Sequence, residues 1–246
     1  MKHLALYLRA PLQSWGASSK FGDRGTLDAP TRSGLLGMIA AACGIDKKDE
    51  ARDREWLERA RTTKLSLIVL AFRRGDRMTD YHTVGARYDK DDPWQKRMIP
   101  TKAEDGSPKK DPTVTHRDYL TDSVFGAVIS GDDELVAEMA EGLANPVWGV
   151  WFGRKSCIPT EPILVGVFDS VEAARNALDS RLRASLERGD GKVAGKCEDG
   201  AVKFDLIEAG ADEAEETLLD VPVSFNRREF HARRIRREIR EPIAKE

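Results

Sequence analysis

The chain has 246 residues, of which 40% are hydrophobic and 33% charged, and its formal net charge is −2. That length buries a sizeable core, but a balance so near neutrality excludes a global electrostatic footprint for nucleic acid. A nucleic-acid surface would have to be a local patch offset by acid elsewhere. Cys43, Cys157 and Cys197 form no CxxC pair, which argues against a disulfide framework or structural zinc and suits a reducing cytoplasm. No stretch approaches the ~20 apolar residues of a membrane span, and Arg9 ends the N-terminal apolar run too early for a signal-peptide core.

Leu4, Leu6 and Leu8 alternate with Ala5 and Tyr7, so few polar positions remain that this reads as a buried first strand. A polar, Gly-rich segment follows from Gln13 to Ala29. Thr31 is a natural N-cap and Gly44 a natural C′ residue, so one buried helix is expected between them. Gly34 and Gly37 lower its helix propensity, and a close backbone approach would explain them. Lys64 to Phe72 reads as a second strand. From Arg73 to Thr115 there is no sustained period, and Pro93, Pro100, Pro108 and Pro112 fall there. A loop of this length inside a domain is usually functional or disordered. A third strand, with breaks, is expected from about His116 to Ser130. Asp132 caps a helix with Leu135, Val136, Met139 and Leu143 on one face, and Ile163 to Phe168 is a fourth strand. The order is the βαββαβ of a ferredoxin-like unit with a long insertion. Ser170 then caps a further amphipathic helix, and strands near 202–207 and 218–230 precede an Arg-rich tail. The expected organisation is an α+β chain. An RRM-like domain spans 1–168 with an arm at 73–115, and a smaller β-rich part, 169–246, packs on it.

Charge is segregated near the C-terminus. Residues 205–220 carry seven acidic side chains and no Lys or Arg, whereas 227–240 carry seven Arg and two Glu. Each run reads as a solvated face or tail.

Several segments carry residue types suited to single-stranded nucleic acid. Thr31, Arg32 and Ser33 stand at a helix start, where free N–H groups favour an anion such as phosphate; otherwise this is a capped helix with Arg32 in solvent. Trp15 either stacks on an unpaired base or closes the core. Tyr81, His82, Arg87 and Tyr88 suit stacking and phosphate contact, or a hairpin docking on another protein. Gly153-Arg154-Lys155-Ser156 beside Trp148, Trp151 and Phe152 suits a clamp on a strand's backbone, or is an exposed basic turn. It lacks Walker A spacing. His3, His82, His116 and His231 are dispersed, so acid–base chemistry at His82 or His116 is the weaker reading. Asp89, Asp91 and Asp92 lack the remaining ligands of a calcium loop.

Taken together these segments resemble a known family. Ala10-Pro11-Leu12-Gln13-Ser14-Trp15-Gly16, Pro30-Thr31-Arg32-Ser33-Gly34-Leu35-Leu36-Gly37, Asp80-Tyr81-His82-Thr83-Val84, Thr115-His116-Arg117-Asp118-Tyr119-Leu120 and Phe152-Gly153-Arg154-Lys155-Ser156-Cys157 resemble, in order, motifs of the CRISPR-associated CasD family. Lys155 stands where the family pattern has Arg, a point charge in place of a planar fork. The resemblance implies a RAMP-type, ferredoxin-like (RRM-like) fold with an inserted thumb. It also implies a non-catalytic subunit of type I-E Cascade that grips the 5′ handle of the CRISPR guide RNA. Its expected partners are the CasC backbone subunit and the CasA large subunit, with target DNA met only through the complex. No cofactor, metal or membrane is implied. The RNA-binding surface is expected from Gln13, Trp15, Arg24, Thr31, Arg32, Ser33, Tyr81, His82, Arg87, Arg117, Arg154, Lys155 and Ser156. The alternative is a metal-independent endoribonuclease for repeat RNA, as in the related type I-C subunit.

Overall fold

Leu4, Leu6 and Leu8 face one way along the first strand and Ala5 and Tyr7 the other, and all five are fully buried. A strand with both faces covered needs a layer on each side, and that requirement organises the molecule. The computed structural model describes residues 1–16, 22–71, 77–84, 91–93, 106–107, 112–187 and 204–239. Among them are β1 (Lys2–Arg9), β2 (Leu12–Gln13), β3 (Asp23–Arg24), α1 (Arg32–Ala42), α2 (Glu50–Arg61), β4 (Lys64–Ala71), β5 (Arg77–Val84) and β6 (Thr113–Thr121). They continue with β7 (Val124–Gly131), α3 (Asp133–Ala144), β8 (Leu164–Phe168), α4 (Val171–Glu187), β9 (Phe204–Glu208), β10 (Glu216–Ser224) and β11 (Glu229–Ile239). The chain is α+β, as expected, with four helices among the described residues.

Seven strands form one sheet in the order β10-β11-β9-β4-β7-β1-β8, every neighbouring pair antiparallel. Leu4, Leu6 and Leu8, with Phe125, Ala127 and Ile129 of β7, pack against α1, α2 and α3. On the opposite face, Ala5, Tyr7, Val124 and Val128 meet Ala174, Leu178 and Leu182 of α4. Leu35, Leu36 and Ile39 of α1 are essentially inaccessible, each such side chain contributing about 1.5–3 kcal/mol relative to exposure. Thr31 caps α1 by accepting from the Gly34 N–H at 3.1 Å, and Gly44 ends it with φ +70°.

Three elements differ from expectation. The strand expected over His116 to Ser130 is two strands in different sheets. The chain breaks at Asp122, with φ +50°, where its N–H donates to Pro11 O at 3.0 Å. β6 belongs to a second sheet, with β2, β3 and β5 as its partners. β5 pairs β6 along its whole length, Arg77 with Leu120 through Val84 with Thr113, and is exposed or half-buried throughout. Apart from β5, 91–93, 106–107 and 112 onward, the segment 73–115 lies outside the described residues. Helix α2 was not expected at all; only Asp53, Trp56, Leu57 and Ala60 of its twelve residues are buried.

The Arg-rich run is not a tail. As far as Ile239 it forms β11, which lies between β10 and β9 and so beside the acidic run. Arg233 makes a two-pronged pair with Asp220 at 2.9 and 2.7 Å, and Arg236 reaches Glu213 at 2.7 Å. The two charged stretches thus pair in part across a hairpin, while Asp205 pairs with Arg175, Glu208 with Arg32 and Arg227 with Glu50.

Candidate nucleic-acid interface

The segment after β1 and the turn at 152–157 are built against each other. Ser14 N–H donates to Phe152 O at 3.1 Å, and Phe152 N–H donates to Cys157 O at 2.9 Å. Gly153 has φ +91°, and a Cβ there would lie 1.8 Å from the Ser14 carbonyl oxygen. Only glycine permits this approach, which fixes the start of the turn; in it Arg154 is half-buried and Lys155 exposed.

Arg154 is held in a defined pose. Its guanidinium donates to Asp118 O at 2.9 Å and Arg24 O at 2.6 Å and lies 4.6 Å from the Tyr119 ring centroid. Two of its five N–H groups are thereby taken by backbone. Lys155 is exposed, its ammonium 5.8 Å from the Trp151 ring centroid. Ser156 is exposed and its Oγ is 3.5 Å from the Tyr119 hydroxyl. Arg24 is exposed on β3 and stands in register with Arg117 of β6. Arg117 is half-buried and donates from Nε to Thr115 Oγ1 at 3.2 Å. Arg24, Arg117, Arg154 and Lys155, far apart in sequence, thus surround the junction of the second sheet and the 152–157 turn.

Beside this patch lies a groove of about 480 Å³. Trp15, Arg24, Thr31, Ser33 and Arg154, all expected from the sequence, line it. Trp151, Phe225, Phe230 and the α1 residues Gly37 and Met38 line it too and were not expected there. Trp151 had signalled only a neighbourhood. Phe225 and Phe230 sit where β10 turns into β11, and no local pattern connects that turn to α1.

Four expected contact residues are buried instead, and one of them, Thr31, 2% exposed, spends its hydroxyl on the cap of α1. Gln13 is fully buried; its amide donates to Leu8 O and Ser123 O at 3.2 and 2.7 Å and accepts from the Trp15 indole at 3.0 Å. Trp15 is 1% exposed and packs 5.8 Å from Phe152, ring to ring. Its ring explains Gly34, whose Cβ would come within 2.9 Å of it; the close approach is by an indole, not a backbone. Arg32 is 3% exposed. It donates to Thr63 O at 2.6 Å, Thr63 Oγ1 at 3.0 Å and Glu208 at 2.8 Å. Burial pushes its pKa down despite the opposing pull of Glu208. The anion expected at the start of α1 is internal: Asp220 accepts from the Arg32 backbone N–H at 2.8 Å.

On the arm, Tyr81 is 65% exposed with its ring 5.5 Å from that of His116. His116 Nδ1 is 3.3 Å from Asp23, and His82 Nδ1 is 3.6 Å from Asp80. Arg87 lies outside the described residues. Burial raises the pKa of the Cys157 thiol, which leaves it a packing residue in the turn. Among the described residues no group of three His, Cys, Asp or Glu side chains is placed to hold a metal ion, and no helix is long and apolar enough to cross a membrane.

Residues 3–238 match the family described as CRISPR-associated protein (Cas_Cas5). The chain is 28% identical over 184 residues to the CRISPR system Cascade subunit CasD of Escherichia coli (strain K12), covering 72% of this chain and 76% of that protein. It is similar to a solved chain of a CRISPR RNA-guided surveillance complex, with TM-score 0.64 and 31% identity over 96% of this chain and 89% of that one. A second solved structure, of a Cas protein, has TM-score 0.55 at 23% identity and covers 96% of this chain and 94% of its own; at that identity the likeness bears on the fold alone.

Proposed function

The chain belongs to the CRISPR-associated Cas5 family, and from that premise we propose that it is a non-catalytic RNA-binding subunit of a type I-E Cascade surveillance complex. Its likeness to CasD and to a chain of an RNA-guided surveillance complex supports membership of such an assembly. The single observation that carries the RNA reading is the convergence of Arg24, Arg117, Arg154 and Lys155 around one junction of an otherwise near-neutral chain. Cations set by a rigid turn hold phosphates, and the exposed ring of Tyr81 offers a face to an unpaired base. The ligand is the 5′ handle of the guide RNA, gripped as a splayed single strand, because an RNA duplex hides its base edges in a deep groove. Gln13, Trp15 and Arg32 act beneath this surface by fixing the elements that carry it.

The fold is of the RAMP, ferredoxin-like kind. The run β8-β1-β7-β4 within the sheet, with α1 and α2 between β1 and β4 and α3 between β7 and β8, supports it. Residues 1–168 form the RRM-like domain with its arm, and 169–246 the smaller part. CasC and CasA are the neighbouring subunits, target DNA is met through the complex, and the assembly works in the cytoplasm. Affinity purification of the tagged chain with its neighbours, followed by sequencing of bound RNA, tests the proposal. The expected result is one shared, repeat-derived 5′ sequence; random fragments or no RNA would overturn it.

A second reading, metal-independent cleavage of repeat RNA, is favoured by one observation: exposed His116 is oriented by Asp23 and adjoined by Tyr81. It predicts discrete products from the isolated chain in EDTA.

A further inference from the structure

We propose that the groove between α1 and the turn joining β10 to β11 receives one unstacked nucleobase of the bound strand. This rests on the RNA-binding reading and adds to its phosphate contacts a receptor for a base. The floor is the glycine face of α1. Gly34 and Gly37 are three apart and so lie on one side of the helix. Gly34 is needed beneath Trp15, but a Cβ at Gly37 would meet only the Phe225 ring, at 3.5 Å, an ordinary contact. Packing does not require glycine at 37; its effect is to leave the groove open.

The walls are aromatic. Trp151 and Phe225 are half-buried and Phe230 is 37% exposed, all lining a space of about 480 Å³. That lies within the roughly 300–1,000 Å³ of small-molecule sites. The turn carrying the two Phe is fixed to α2, since Phe225 N–H donates to Asp53 at 3.2 Å and Arg227 pairs with Glu50 at 3.1 Å. Ser33, also at the groove, supplies a hydroxyl for a base edge. Arg24 and Arg154 belong to the same groove. An apolar side chain from a partner protein would satisfy the rings and leave both cations without an anion. A nucleotide brings a flat π-face and a phosphate together, and any base has such a face.

Gly37→Leu fills the groove without touching a cation, and Phe230→Ala removes one wall without filling it. Gly37→Ala is the control that keeps the groove. Each full-length variant is titrated with fluorescent oligo(U) and oligo(A) of about a dozen nucleotides across a salt series, with its fold checked by circular dichroism. Loss of one stacked base lowers affinity by about 5- to 150-fold. The log–log salt slope stays unchanged, since no phosphate contact is lost. Gly37→Leu and Phe230→Ala are expected to show that pattern and Gly37→Ala wild-type binding. Wild-type affinity in both folded variants overturns the base site and leaves the RNA-binding reading standing. Normal RNA affinity with failed assembly onto neighbouring subunits also overturns it, in favour of a protein side chain in the groove. Failure of the wild-type chain to bind either oligonucleotide overturns this site and the reading beneath it together.

Discussion

Replacing Arg32 with Ala separates a residue that holds the fold from one that holds RNA. Its guanidinium is 3% exposed and spans Glu208 on β9 and the carbonyls of Ala60 and Thr63 at the end of α2. Truncation takes from the Thr63 carbonyl its donor at 2.6 Å, while Ala60 O keeps the Thr63 hydroxyl at 2.6 Å, and it strips Glu208 of its partner at 2.8 Å. Leaving a buried acceptor without its charged donor costs about 1–3 kcal/mol, and the pair with Glu208, whose side chain is 38% exposed, adds up to about 1 kcal/mol; roughly 2–4 kcal/mol is a large share of a total stability of roughly 5–15 kcal/mol. With a urea m-value near the upper end of about 1–3 kcal/mol/M, the unfolding midpoint falls by ~1–2 M. Circular dichroism through a urea titration measures it, and the RNA salt slope is taken on the fraction that remains folded. The expectation is a large loss of stability with an unchanged slope. Unchanged stability with a slope lower by about 0.7, the value for one lost single-strand phosphate contact, would refute the reasoning and return Arg32 to the ligand.

Gly153→Ala should destabilise by about 2–4 kcal/mol, because the left-handed backbone costs about 1–2 kcal/mol in a residue with a Cβ and the Ser14 carbonyl must move away from a Cβ placed 1.8 Å off. Thermal denaturation should show Tm lower by roughly 5–15 °C, and a change of only a degree would count against a turn fixed at Gly153. Burial pushes the Glu161 carboxyl up, but hydrogen bonds from Ser185 and Arg9 and the charges of Arg181 and Arg9 outweigh it and hold its pKa below 4.5. Its stabilisation is therefore complete above that value and lost as pH falls through the depressed pKa. Glu161→Gln should cost about 1.5–3 kcal/mol at neutral pH and flatten the acid limb of the stability profile below pH 4.5; an unaltered acid limb would count against the cluster.

Much of the fold is written in local pattern. The alternation through Leu4, Leu6 and Leu8, the Thr31 and Asp132 caps and the Gly44 stop mark their elements because burial periodicity and capping are short-range signals. Helix α2 escaped because Glu50–Arg61 offers only Trp56, Leu57 and Ala60 as a buried apolar stripe amid charge, although Asp49 caps it by accepting from the Arg52 N–H at 3.2 Å. Direction was the harder question at the site. Arg154 and Lys155 declare themselves because two adjacent cations follow a glycine and stand beside aromatic residues. Gln13, Trp15 and Arg32 have residue types that suit RNA and buried networks equally, and what decides for Arg32 is Glu208 and Asp220, far along the chain. The charge runs of 205–220 and 227–240 each look solvated when read alone. Only strand pairing, set by tertiary structure, shows that they meet, and the same pairing brings Phe225 and Phe230 to the groove.

In the proposed function the chain grips single-stranded RNA through Arg24, Arg117, Arg154 and Lys155 and leaves it uncut. The most direct measurement is equilibrium binding of repeat-derived RNA to the purified chain in EDTA, across a salt series, with the RNA analysed afterwards for length. Saturable binding and intact RNA are expected, with a log–log slope that falls by about 0.7 in Lys155→Ala and by about as much again when Arg24→Ala is added. Discrete cleavage, or a slope and affinity untouched by both substitutions, would contradict that function.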